Sequence, residues 1–295
     1  MNASCDRAFL RQAHGLMHYR VLNVEAVATE ALELNTPPPR PLWMMHASPS
    51  SSRSVEPLAL ALHQNTPGRA IFAPDTPGFG DSAALPVTQP TLIDYGHAFF
   101  EMWDQLGIEC CDLYGFHTGA HIAIEMAIAR PERIGKVIID GLLWLDEHEK
   151  AQYLEHYAPV LTPDAQGTQI FRALQFIRDQ AWFFPHFQRD AAHNLGGGAM
   201  PPAVLHTLTL ELLQAIETYH LGYQAVFRHD LAARLPLVRQ PVLLTADTSD
   251  PTRESLTRAA SAVGSSVIRQ GLTNGLTGLS DKVQLIREFL REERA

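Results

Sequence analysis

The chain predicts an α/β fold: a mostly parallel central sheet flanked by helices. Two patterns carry that expectation. Short apolar runs alternate with longer stretches whose apolar residues recur at helical spacing, which is how a sheet covered on both faces is written in a sequence. Residues 115–119 read Gly115-Phe116-His117-Thr118-Gly119, between one such run and an Ala/Ile-rich stretch. That is a strand, a sharp glycine-framed turn and a helix. At 295 residues and 46% hydrophobic composition, the chain can bury a full core as one domain.

In chain order, the first predicted strand is Leu42-Trp43-Met44-Met45, which breaks into the loop His46-Ala47-Ser48-Pro49. A second strand over 70–73 runs into Pro74-Asp75-Thr76-Pro77-Gly78-Phe79-Gly80-Asp81-Ser82, a tight Pro/Gly turn. Leu92, Tyr95, Phe99, Met102 and Leu106 then share one helical face. A strand over 111–114 enters the glycine frame, and the helix behind it closes at Arg130-Pro131. Strands over 136–140, 242–246 and 266–269 follow, with a helix over 253–262 and a last helix presenting Val283, Ile286 and Leu290.

Between 141 and about 235 the alternation stops. Helical patterns such as Ile170, Phe171, Leu174, Phe176, Ile177 and Leu208, Leu210, Leu212, Leu213, Ile216 are interrupted by Gly196-Gly197-Gly198. No strand precedes that glycine triplet, so it predicts a loop and not a phosphate cradle. Trp182 and Phe183, with Phe184 and Phe187, suit an apolar pocket wall, and they suit equally a role in holding these helices to the core.

A net charge of −9 without a Lys/Arg cluster argues against nucleic acid or an anionic membrane as partner. No run of eighteen apolar residues exists and the N-terminal residues lack a signal-peptide core, so a cytoplasmic location is expected. Three cysteines, Cys5, Cys110 and Cys111, do not make a disulfide framework.

The ordered set of the His46–Pro49 loop, the Pro74–Ser82 turn, the glycine frame and Asp230-Leu231 with Arg234-Leu235-Pro236 resembles the α/β-hydrolase fold superfamily over nearly the whole chain, in its lidded branch of esterases, epoxide hydrolases, dehalogenases and carbon–carbon bond hydrolases. The resemblance implies a core of residues 1–141 and 236–295, with a helical lid of residues 142–235 inserted between strands 6 and 7. It makes 115–119 a nucleophile elbow. It implies an oxyanion hole from the backbone amides of Thr118 and of Ala47 or Ser48, with His46 heading that loop, and an acid after the strand over 242–246. Asp250, before Pro251, fits that acid best, and it fits the N-cap of the next helix as well. Asp247 and Asp140 are the alternatives.

The chain departs from this pattern at two points. His117 stands where the nucleophile belongs, and no histidine follows His229, so the family's base is missing from Gly271–Leu279. Ordinary serine esterase chemistry is therefore not expected. An imidazole titrating near neutrality beside an oxyanion hole suits general acid/base work, or direct attack, on a small carbonyl compound, with hydrolysis or lyase-type cleavage as the outcome. A hydrolase fold that binds a small molecule without turning it over is the alternative. His186, His193, His220 and His229, in or near the lid, are candidates for a replacement base. His117 and His121 are spaced i, i+4 on one helix face, so with His46 and Asp250 they raise the question of a metal. Without a glutamate after His117, no metal or other cofactor is expected.

Overall fold

The structure is a computed structural model that describes residues 5–22, 39–66, 68–263, 268–271 and 278–291. Eight strands form one sheet: β1 (Asp6–Gln12), β2 (Gly15–Leu22), β3 (Leu42–Met45), β4 (Ile71–Pro74), β5 (Cys111–Phe116), β6 (Ile134–Asp140), β7 (Val242–Thr245) and β8 (Ile268–Gly271). Their spatial order is β1-β2-β4-β3-β5-β6-β7-β8. β1 pairs antiparallel with β2, and β2 with β4; every pairing from β4 to β8 is parallel. The last predicted strand begins at Ser266, which lies outside the described residues, and the observed strand starts two residues later.

Both faces of this sheet are covered. In β3, Leu42 and Met44 join one apolar cluster while Trp43 and Met45 join the other, the two-residue period of a strand buried on both sides. Leu113, Val137, Ile139 and Leu244 go with Trp43; Tyr114, Ile138 and Leu243 go with Leu42. The covering helices are α1 (Glu56–Asn65), α2 (Leu92–Leu106), α3 (Thr118–Ala129), α9 (Ser255–Ala262) and α10 (Leu279–Arg291). α2 begins at a reciprocal capping box between Thr91 and Asp94 and ends at Gly107, φ 68°. Apolar almost all round, α3 is buried nearly throughout.

Between β6 and β7 the chain forms α4 (Glu147–His156), α5 (Thr168–Gln180), α6 (Pro202–Gln214), α7 (Tyr219–Phe227) and the single turn α8 (Leu231–Arg234). Their common filling is aromatic, with Tyr153 and Tyr157 stacked at 5.2 Å and Tyr157, Phe176, Tyr223 and Phe227 meeting mostly edge to face. Three of the four rings expected at a pocket wall over the glycine-framed turn stand elsewhere, Phe187 packing edge to face on Tyr153 at 5.5 Å. Trp182 is 37% exposed, and Phe183 pairs through its backbone with Asn194 in the loop beyond α5. Among the described residues no helix is long and apolar enough to cross a membrane, and Cys5, Cys110 and Cys111 are free thiols.

The order of the strands positions the site. β3 connects onward to β4 on one side and its neighbour β5 connects onward to β6 on the other, so the loops leaving the carboxyl ends of β3 and β5 part and open a crevice. The His46–Pro49 loop and the glycine-framed turn are those two loops.

Candidate active site

His117 sits at the tip of the turn with φ 47° and ψ −104°, the one non-glycine residue at positive φ among the described residues. Its neighbours hold it there. The His117 amide donates to Asp140 O at 3.0 Å and the Gly119 amide to His46 O at 3.1 Å, which staples the turn to β6 and to the end of β3. The glycines are steric requirements. A Cβ on Gly115 would lie 2.3 Å from Gly119 O, and one on Gly119 would lie 2.3 Å from Met45 O. Strained backbone kept by its surroundings at an exposed tip is a mark of functional turns.

The imidazole is paired. His117 Nε2 lies 3.0 Å from Asp250 Oδ2. The other oxygen, Asp250 Oδ1, accepts from Thr252 N at 2.8 Å and from Thr252 Oγ1 at 2.7 Å, capping the turn over 251–254. Capping and facing His117 are thus both done by Asp250, one oxygen each. Gly141, at φ 71°, leaves room for the pair, since a Cβ there would lie 2.9 Å from both Asp250 Oδ2 and His117 Cε1. Burial opposes the charged form of His117, but the Asp250 carboxylate outweighs it and the pKa rises above 6.5. Burial pushes the Asp250 carboxyl up, and His117 and the Thr252 donors overcome that to bring it to about 2.

The alternative acids are engaged elsewhere. Asp140 Oδ2 accepts from Tyr114 OH at 2.5 Å and from Lys282 Nζ at 2.7 Å, and Asp247 takes the same ammonium at 3.0 Å. Neither touches the imidazole. The segment 272–277, where the family's base belongs, lies outside the described residues.

Above His117 is a cavity of about 200 Å³ whose wall includes Ala47, Ser48, Thr118 and His121 from the core and Tyr157, Phe184, Tyr223 and Phe227 from the inserted helices. Trp182 and Phe183 are not part of that wall; Phe184, further along the chain, is. Tyr157, Tyr223 and Phe227 were missed from sequence, although the spacing of Tyr219, Tyr223 and Phe227 along α7 marks one helical face. Tyr223 OH donates to Ser48 O at 2.8 Å and so ties α7 to the loop after β3.

The expected oxyanion donors separate on inspection. Thr118 N–H belongs to the first turn of α3, where amides have no intrahelical acceptor. The Ser48 amide instead donates to Thr118 Oγ1 at 3.1 Å, which leaves the Thr118 hydroxyl hydrogen as the group that can reach a ligand. His46 does not reach the cavity. It is 1% exposed, its Nδ1 lies 2.9 Å from Ala47 O and its Nε2 accepts from Thr76 N at 2.9 Å. With both nitrogens used it braces two loops, and a set of metal ligands from His117, His121, His46 and Asp250 does not assemble. The described residues hold one compact group of possible ligands, His18, Asp75 and Asp81. There His18 bonds Asp75 and accepts from Arg7, and Arg7 also pairs with Asp81, so a cation already occupies that charge.

No family model matches the chain. Over 74 residues it is 36% identical to a 2-hydroxy-6-oxo-6-phenylhexa-2,4-dienoate hydrolase of Burkholderia cepacia, a match covering 25% of this chain and 26% of that relative. Over 104 residues it is 31% identical to a 2-hydroxymuconate semialdehyde hydrolase of Pseudomonas sp. CF600, covering 34% and 36%. The matched stretches thus span about a quarter to a third of these curated relatives. In three dimensions the likeness extends over nearly the whole chain: epoxide hydrolase A of Mycobacterium thermoresistibile superimposes with a TM-score of 0.69 at 16% identity over 98% of each chain. A hydrolase of Pseudomonas aeruginosa does so with a TM-score of 0.64 at 20% identity, over 97% of this chain and 96% of the other. The chain has the α/β-hydrolase fold.

Proposed function

We propose that this protein is an enzyme that cleaves a small carbonyl compound by hydrolysis, with His117 as general acid/base in place of a serine nucleophile and residues 142–235 as the lid over it. The observation that carries this reading is the strained His117, paired with Asp250 and forming the floor of a cavity walled in part by Tyr157, Phe184, Tyr223 and Phe227. Asp250 accepts the proton on Nε2, so Nδ1 is the atom that exchanges protons. It takes one from water as the hydroxide adds to the carbonyl carbon. The amides of Thr118 and Ala47 and the Thr118 hydroxyl receive the oxyanion. Collapse of the adduct breaks the bond to the leaving group, and Nδ1–H returns the proton to it. The relatives' names supply the first substrates to try, 2-hydroxy-6-oxo-dienoates, whose conjugated chromophore disappears on cleavage. Turnover of such a dienoate followed by absorbance tests the reading, and a purified protein inert toward it and toward simple esters and lactones refutes it.

A non-catalytic binder is the second reading, favoured by the Ser48 amide, which bonds internally to Thr118 and not toward a ligand. It predicts that His117→Gln leaves affinity for a carbonyl ligand unchanged, whereas the enzyme reading predicts loss of rate.

The pH profile has a definite sign. Neutral His117 is the working base, so the rate rises with pH through a pKa above 6.5. Asp250→Asn removes the charge that holds this pKa up and leaves burial, which lowers it. The acid limb of kcat therefore moves to lower pH in the variant, while the plateau falls by about 10-fold or more as the ring loses its orienting partner. An unmoved limb would show that another group titrates.

A further inference from the structure

His121, one helical turn beyond His117, also forms part of the cavity wall and belongs to a buried chain of polar contacts that the proposed reaction does not use. Its Nδ1 lies 2.8 Å from His229 Nδ1, and His229 Nε2 lies 2.8 Å from Glu125 Oε1. Arg234 holds that carboxylate at both ends, Nε to Oε1 at 2.8 Å and Nη2 to Oε2 at 2.7 Å. His121 Nε2 is closed to solvent and has no hydrogen-bond partner among the described residues. The contacts decide the tautomers. A carboxylate only accepts, so His229 Nε2 carries hydrogen; its Nδ1 is then bare when the ring is neutral, and His121 Nδ1 must donate to it. His121 is left with an unshared lone pair on Nε2. A buried acceptor without a donor costs about 1–3 kcal/mol and calls for an explanation.

We propose that His121 is a second proton-accepting residue of the cavity, taking a proton at Nε2 from an O–H group of the ligand, while His117 keeps the attacking water and His229, Glu125 and Arg234 hold the His121 tautomer. The inference rests on the acid–base reading of the site. When Nε2 gains a proton, the Nδ1 proton passes to His229 Nδ1, and the Glu125 carboxylate, which burial pushes up but His229 and Arg234 bring down to about 2, balances the charge of that ring. The chain ends at a second concavity of about 330 Å³ that includes Glu125, His229 and Arg234 in its wall, so the proton leaves on the far side from His117. The charged and titratable groups around His121 are His117 before it on α3, His229 after α7, Glu125 on α3 and Arg234 on α8. Burial first, then His229 and His117, hold His121 well below the ordinary histidine pKa, while Asp250 holds His117 above it. The two imidazoles of one cavity are thus pushed apart in basicity, with His117 the stronger base.

Nitrogen-15 NMR of histidine-labelled protein tests this without any substrate. His121 is expected to show the Nδ1–H tautomer across the neutral range. Phenol, a small O–H donor, should shift its Nε2 resonance while anisole does not. His229→Phe should abolish the single tautomer and His229→Gln, whose amide oxygen can accept, should restore it. A His121 that carries hydrogen on Nε2, titrates as an ordinary histidine, or responds alike to phenol and anisole overturns the proposal. With a cleaved dienoate in hand, His121→Phe should lower kcat about 100-fold with little change in KM; an unchanged kcat also overturns it. A wild-type protein that leaves the dienoate intact refutes the proposed reaction, while the tautomer and phenol results still decide the role of His121.

Discussion

On the proposed acid/base role of His117, His117→Ala is expected to lower kcat by about 10²- to 10⁴-fold, the range a positioned acid/base supplies. The fold should survive, because the ring's aromatic contact is with the partly buried Phe116, at 4.3 Å between centroids, and its side chain is 28% exposed. What changes is the partner: Asp250, only 8% exposed, keeps its Thr252 donors and loses its cation. Comparing His117→Ala with His117→Gly isolates the backbone. At φ 47° an alanine retains the strain of the turn and glycine does not, so the glycine variant should be the more stable of the two by about 1 kcal/mol. In an ordinary helix or strand interior the same comparison has the opposite sign. Neither variant turns over, so activity and stability separate at one position. Thermal melts and dienoate kinetics on both proteins check this; undiminished turnover in either refutes the role of the imidazole.

The parts of this arrangement legible in sequence are those in which chemistry and conformation are set by neighbours along the chain. β3 to β7 and α2 show because strands buried on both faces are uninterrupted apolar runs. The elbow shows because two glycines frame it, and Asp250 because it stands before a proline. β1 and β2 do not show. β1 places the apolar block Ala8-Phe9-Leu10 between the charged Asp6-Arg7 and Arg11 without alternation and lies at the sheet edge with Phe9 49% exposed, so its pattern resembles a polar loop. The remainder of the site depends on contacts distant in sequence. Tyr157, Tyr223 and Phe227 become cavity wall only when the inserted helices settle over the elbow, and His229 reaches His121 across 108 residues. Among adjacent aromatic residues, which side chain turns inward is decided by where α5 ends, which is why Phe184 forms wall while Trp182 faces solvent. The departure at His117 is fully legible, yet its meaning is not. That Asp250 approaches the ring, and Asp140 and Asp247 do not, follows from Lys282 claiming both of the latter.

Gly119→Ala should be among the most destabilising single-methyl changes this chain can suffer. The added Cβ would sit 2.3 Å from Met45 O, 2.6 Å from Met45 C and 2.8 Å from Met45 Cβ, and the first two are backbone atoms in the middle of the sheet. A side chain in the way could change rotamer, but β3 cannot retreat, because Trp43 and Met45 on one face and Leu42 and Met44 on the other are packed against both core clusters. The helix must lift instead. That breaks the Gly119 amide bond to His46 O and separates the loop after β3 from the start of α3, and with them the Ala47 and Thr118 amides proposed as oxyanion donors. Overpacking of a core typically costs about 1–3 kcal/mol and more where backbone must move; at least about 3 kcal/mol is expected here, a fall in Tm of roughly 5–10 °C. Activity should fall further than stability alone explains, since the variant still folded at low temperature has its oxyanion donors displaced. Gly198→Ala is the matched control. Nothing lies within 4 Å of a Cβ there and its φ is not in the left-handed region, so the same methyl group should change stability by no more than about 0.5 kcal/mol. Equal melting points for the two variants would mean that α3 and β3 do not approach as closely as the elbow requires.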